Sequence, residues 1–182
     1  LAGITSKDKH SLLAAAKIVG EVSDRYPKHE LGADARLEQG TILSTSGKYA
    51  EAQKSFEKFA SVYPGHKEVD KVTYQLGLCL MEQQEWQLAL EYFKKVPLKS
   101  DWRDEAVYQS AWCGKRKGEK PVATKHYKEL ISNHPESPLV VYGTIELAEL
   151  EFEVGELEAA GKRLEKLIES GLDAKLRGRA QY

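Results

Sequence analysis

Five alanines, Ala15, Ala52, Ala89, Ala123 and Ala160, recur at intervals of 37, 37, 34 and 37 residues, each in the same context. Aligned on them, other residues fall into register. Twelve residues after the alanine stands Pro27, Pro64 or Pro135, and twelve before it Gly40, Gly77, Ala111 or Ala148. A glycine lies five before it at Gly47, Gly118 and Gly155, and Val19, Phe56, Phe93, Tyr127 or Leu164 lies four after it. A period in the thirties with this punctuation means stacked supersecondary units, none of which can bury its apolar face alone.

Within each period the apolar residues recur at helical spacing in two runs. Val72, Leu76 and Leu80 form one stripe; after a break at Gln83–Gln84, Trp86, Ala89, Phe93 and Val96 form the next. Gly47 is placed to end a helix in a left-handed cap. The helix after it stops before Tyr63-Pro64, because a residue preceding proline is pushed out of the α region. Pro121 and Pro138 fit first-turn positions, where a missing N–H costs nothing. The reading is an all-α array of antiparallel helix hairpins with about ten helices. It comprises a half repeat over 8–27, full repeats over about 33–66, 70–98, 104–136 and 141–170, and a half repeat over 173–182. An array that opens on a second helix and closes on half a first one reads as a fragment whose apolar ends would associate. Small residues such as Gly40 facing Ala52, or Gly77 facing Ala89, would let the paired backbones approach.

The motif resembles the tetratricopeptide repeat (TPR) family. Numbering the repeats from Ala33, Asp70, Asp104 and Val141, the family's small residue at position 8 is Gly40, Gly77, Ala111 and Ala148, and its alanine at position 20 is the one that sets the period. The usual tryptophan at position 4 is replaced by Arg36, Thr73, Val107 and Thr144. The resemblance implies a right-handed superhelical solenoid. The 37-residue spacing exceeds the family's usual 34 by three residues, and the excess falls in the linkers 24–32 and 61–69. That long-linker form resembles the bacterial cell-envelope branch, with its Tol-Pal partners and outer-membrane assembly lipoproteins, and implies a periplasmic or envelope location.

Charged residues make up 30% of the chain but cancel to −1, which gives no whole-chain attraction for nucleic acid or an anionic membrane. No apolar run approaches the roughly 20 residues a membrane helix needs, so direct membrane insertion is not expected. Lys115, Arg116, Lys117 and Lys120 crowd one inter-helix turn interrupted by Glu119, a solvated turn in this reading. There is no phosphate-binding glycine loop, HExxH or CxxC, and no catalytic residue, cofactor or metal ligand is assigned. His29 and His66 occupy equivalent linkers, which duplication explains more simply than metal binding. Cys79 and Cys113 share repeat position 10 and read as small, buried, inert thiols.

In the family, first helices line a concave groove and positions 2, 5, 9 and 12 meet the ligand. Carried over, these are Lys71, Tyr74, Leu78 and Met81 in one repeat; Glu105, Tyr108, Trp112 and Lys115 in the next; and Tyr142, Ile145, Glu149 and Phe152 in the last. The first full repeat contributes Asp34, Leu37, Thr41 and Ser44. A carboxylate clamp for acidic C-terminal tails needs Lys, Arg and Asn there, whereas positions 5 and 9 are mostly aromatic or aliphatic. The resemblance therefore implies a non-catalytic scaffold holding a peptide, helix or partner protein in the groove. The alternative is a structural spacer that stacks end to end on other copies.

Overall fold

The computed structural model describes residues 6–169 and divides after Trp102 into two compact units. The first contains α1 (Ser6–Arg25), α2 (Glu30–Thr45), α3 (Tyr49–Val62), α4 (Val69–Glu82) and α5 (Trp86–Lys95). The second contains α6 (Arg103–Lys117), α7 (Lys120–Asn133), α8 (Val140–Glu153) and α9 (Leu157–Glu169). Within each unit every helix packs on the one before it. The closing helix expected from about 173 lies outside the described residues.

Four inter-helix turns share one backbone solution. Gly47, Gly118 and Gly155 have φ of +74°, +79° and +86°, and Gln84 holds the same place at +64°. The next residue's N–H closes back on a carbonyl five positions earlier: Lys48 on Leu43 at 2.8 Å, Glu85 on Leu80 at 2.9 Å, Glu119 on Gly114 at 2.9 Å, Glu156 on Glu151 at 2.8 Å. This is the Schellman closure, and it satisfies carbonyls that the helix end would otherwise leave open. In the long linkers, Tyr63 and His134 leave the α region ahead of their prolines, as the sequence requires. Pro121 lies in the first turn of α7. Pro138 does not lie inside α8; it stands in the turn before it, where Ser137 Oγ accepts the Leu139 N–H at 3.2 Å.

Ala52, Ala89, Ala123 and Ala160 are all buried. On α1 the stripe is shifted: Ala16, Gly20 and Ser23 are buried and Ala15 is half-exposed. In the later hairpins this alanine faces the first helix of its own hairpin, whereas α1 has no such partner before it among the described residues and packs chiefly on α2. The glycine contacts also differ from expectation. A Cβ on Gly40 would come within 2.4 Å of the Phe56 ring, and one on Gly77 within 2.4 Å of Phe93. Helical side chains lean toward the N-terminus, so the aromatic four residues after the alanine lies back over that turn and fills the glycine's space. Thus Phe56, Phe59, Val72, Leu76 and Cys79 form the core of the first unit, and Ala111, Ala123, Tyr127, Leu147 and Leu150 that of the second.

The position that usually holds tryptophan is polar in three of the four repeats and is Val107 in the other. Arg36 is buried and pairs with Asp24, which Lys58 also reaches, while its Nη1 donates to Gln39 at 2.6 Å. Thr73 and Thr144 instead donate back to the carbonyls of Val69 and Val140, at 2.8 and 2.7 Å. In the last hairpin Glu151 is buried and takes a two-pronged bond from Arg163, at 2.8 and 2.6 Å.

Candidate functional site

The residues carried over to the groove fare differently in the two units. In the first, Tyr74 is only 7% exposed. Its ring stacks on Trp102 with centroids 5.4 Å apart and meets Phe93 at 5.9 Å. Lys71 lies over the Trp102 ring at 5.8 Å and pairs with Glu68 at 3.7 Å, and Leu78 and Met81 are half-buried. Tyr74 therefore belongs to the packing of its own unit. Trp102, which sequence reasoning passed over, is what covers it; a bulky aromatic one residue ahead of α6 was the available signal.

In the second unit the equivalent faces stay open. Tyr142 is 38% exposed, Ile145 36% and Phe152 67%, all on α8. Facing them from α6 are half-buried Glu105, Tyr108 and Trp112. Tyr108 packs edge-on against Tyr127 at 5.9 Å, and Arg116 lies 5.1 Å from the Trp112 ring. Lys115 ties the helices together, its Nζ reaching Glu146 at 2.6 Å and Glu149 at 3.0 Å. Burial opposes the charge on Lys115, but hydrogen bonds to both carboxylates outweigh it and raise the pKa. Beneath this face the Tyr127 hydroxyl is buried with no hydrogen-bond partner. Burial drives that phenol far up, with the Glu146 charge adding to the effect.

The other cations of the α6–α7 turn are also engaged: Lys117 with Glu119 at 2.8 Å and Lys120 with Glu153 at 3.0 Å. Cys79 and Cys113 are free and fully buried. Burial raises them to about 11 and about 12, which keeps both as thiols at neutral pH. Among the described residues no group of three or more His, Cys, Asp and Glu is gathered to hold a metal. No described helix is long and apolar enough to cross a membrane.

Comparison with known proteins agrees with this architecture. A solved structure of MamA is 20% identical, aligns with 97% of this chain and 93% of its own, and superposes with a TM-score of 0.72. A MamA fragment from Desulfovibrio magneticus RS-1 is 16% identical over 88% and 96% of the two chains, with a TM-score of 0.64. YrrB, described as a TPR protein with an unusual peptide-binding site, is 22% identical over 94% and 87%, with a TM-score of 0.61. At these identities the likeness establishes the fold, an all-α TPR solenoid, and no more. No curated protein matches the chain significantly. The sequence profile described as YfiO, outer membrane lipoprotein, matches residues 2–141. With most of its length matched by that profile, and with helix hairpins of the TPR type throughout the described residues, the chain belongs to the YfiO outer membrane lipoprotein family.

Proposed function

We propose that the protein is a non-catalytic scaffold of the cell envelope that holds a peptide or helix of a partner protein against the α6–α8 face of its second unit. The observation that carries this is the row of open apolar side chains on α8, Tyr142 and Ile145, beside Trp112 and the Lys115–Glu146–Glu149 cluster. Large apolar groups left open on a helix face next to fixed polar groups are the makings of an anchor site. Tyr74 and Lys71 are set aside as direct anchors on the first unit, since Trp102 occupies both, while half-buried Leu78 and Met81 stay as candidate contacts there. An acidic C-terminal tail is disfavoured as the partner, because Lys115 is already held by two carboxylates. Membership of an outer membrane lipoprotein family supports the envelope as the compartment.

A shallow face of this kind suits micromolar affinity, about −8 kcal/mol. Truncating a central aromatic should cost about 2 kcal/mol, roughly thirtyfold. A photo-crosslinking side chain introduced at Ile145 should trap a partner polypeptide in cells, and Trp112→Ala or Tyr142→Ala should suppress the adduct without lowering the melting temperature. An adduct that survives both substitutions sinks the reading. An adduct formed only with a second copy of the chain replaces it with end-to-end stacking. That second reading has its own support in the apolar groove on α8 and α9, lined by Phe152, Leu157 and Leu164, all exposed.

A further inference from the structure

His29 and His66 stand in equivalent linkers of the first unit and line one cleft of about 870 Å³, together with Lys28, Glu30, Tyr63 and Lys67. Both imidazoles are used in the same way. Nδ1 of His29 accepts the Leu31 N–H at 3.1 Å, and Nδ1 of His66 accepts the Glu68 N–H at 3.2 Å. A ring that accepts at Nδ1 carries its proton on Nε2. His29 thereby caps α2, His66 ties the turn just ahead of α4, and each keeps an N–H donor on its other nitrogen.

The same bond, from the backbone N–H two residues on, is accepted without histidine in the other two linkers. Ser100 Oγ accepts the Trp102 N–H at 3.4 Å, and Ser137 Oγ accepts the Leu139 N–H at 3.2 Å. That bond alone does not call for an imidazole. What His29 and His66 have beyond serine is the Nε2–H, and both occur in the two linkers that share this cleft. The tautomer also argues against a metal. A cation would need the Nε2 lone pair, so the proton would have to move to Nδ1 and both Nδ1 bonds would break. Against an apolar wall that includes Pro27, Ala33 and Val62, the polar residues of the cleft are chiefly donors: His29, His66, Tyr63, Lys28 and Lys67, opposed by the single carboxylate of Glu30.

We propose that this cleft binds a phosphate-type oxyanion, with His29 and His66 donating through Nε2–H and Lys28 and Lys67 supplying charge. The anion's source is either free phosphate or a phosphate-bearing lipid headgroup, and the two arms of the test separate them. In the first arm the ¹⁵N-labelled full chain is titrated with inorganic phosphate at constant ionic strength, following the imidazole nitrogens and the backbone amides of residues 28–32 and 65–69. The expected result is Nε2-protonated rings with saturable shifts in the millimolar range, about −4 kcal/mol or weaker. In the second arm the chain is sedimented with phosphatidylcholine vesicles with and without phosphatidylglycerol.

The double variant His29→Ser/His66→Ser keeps the turn bond that the chain itself uses at Ser100 and Ser137. It should melt with the wild type yet bind at least fivefold more weakly in whichever arm is positive. Lys28→Ala/Lys67→Ala leaves both Nδ1 bonds untouched and should weaken binding likewise, so a folding defect in the first variant does not decide the outcome. The proposal is overturned by absence of saturable binding in both arms, by undiminished binding in both variants, or by protons found on Nδ1.

Discussion

Gln84 is the one non-glycine residue in a left-handed conformation among those described, and three equivalent positions in the same chain are glycine. A side chain there sets Cβ against the following carbonyl and costs roughly 1–2 kcal/mol. Gln84→Gly removes that strain but gives the unfolded chain more freedom, which returns about 0.4–1 kcal/mol. The net gain should be about 0.5–1 kcal/mol. The side chain of Gln84 is exposed, so little packing is lost with it. The reverse experiment is equally clean. Nothing lies within 4 Å of a Cβ built on Gly47, Gly118 or Gly155, so a substitution there meets only the backbone. Gly47→Ala should therefore lose what Gln84→Gly gains.

Urea unfolding followed by helical circular dichroism reads both. With a slope of about 2 kcal/mol per molar, the midpoint should rise by about 0.3–0.5 M for Gln84→Gly and fall by a like amount for Gly47→Ala. Unchanged slopes would confirm that the native turn, not the compactness of the unfolded chain, has been altered. A Gln84→Gly variant that is neutral or less stable would refute the argument, because the four turns would then not be energetically equivalent. A neutral Gly47→Ala would do the same.

The other expectations are more direct. Ala89→Leu adds bulk against a fully buried wall and should cost about 1–3 kcal/mol, while Phe93→Ala should cost about 3–5 kcal/mol by emptying the space in front of Gly77; denaturant melts measure both. The Arg163 hydrogen bonds hold the Glu151 carboxyl below its usual 4.5, so its contribution is present above that value and lost as pH falls through the lower folded value. Melts between pH 5 and about pH 2 should show this loss in the wild type but not in Glu151→Gln, and Arg163→Ala should cost about 2–3 kcal/mol at neutral pH by leaving a buried carboxylate unpaired. Cys79 and Cys113 should react with a thiol reagent at pH 7 only as fast as the chain unfolds; rapid labelling of the native protein would contradict their burial and raised pKa values.

The fold was legible because a repeat writes the same physics several times. Ala52, Ala89 and Ala123 are buried for one reason, so their common spacing carries the hairpin. A register gives a residue's direction on its helix and stops there. What stands in front of the side chain depends on residues outside the register. Tyr74 and Ile145 share repeat position 5, yet Trp102 closes over one while the other remains open. Arg36 sits where the family has a large aromatic, and the Asp24 carboxylate from a neighbouring helix, together with the Gln39 side chain, makes its burial tolerable. Lys115 looked like one cation in a solvated basic turn; Glu146 and Glu149, more than thirty residues away in sequence, turn it into a cross-helix tie. Conversely, the two histidines that duplication alone explained differ from the serines at the same structural place by one N–H each. Periodicity hides such a difference, since it treats equivalent positions as interchangeable. Chemistry at a repeat protein's surface therefore has to be sought where equivalent positions hold unlike residues, and in this chain those places are Gln84, Trp102 and the His29–His66 pair.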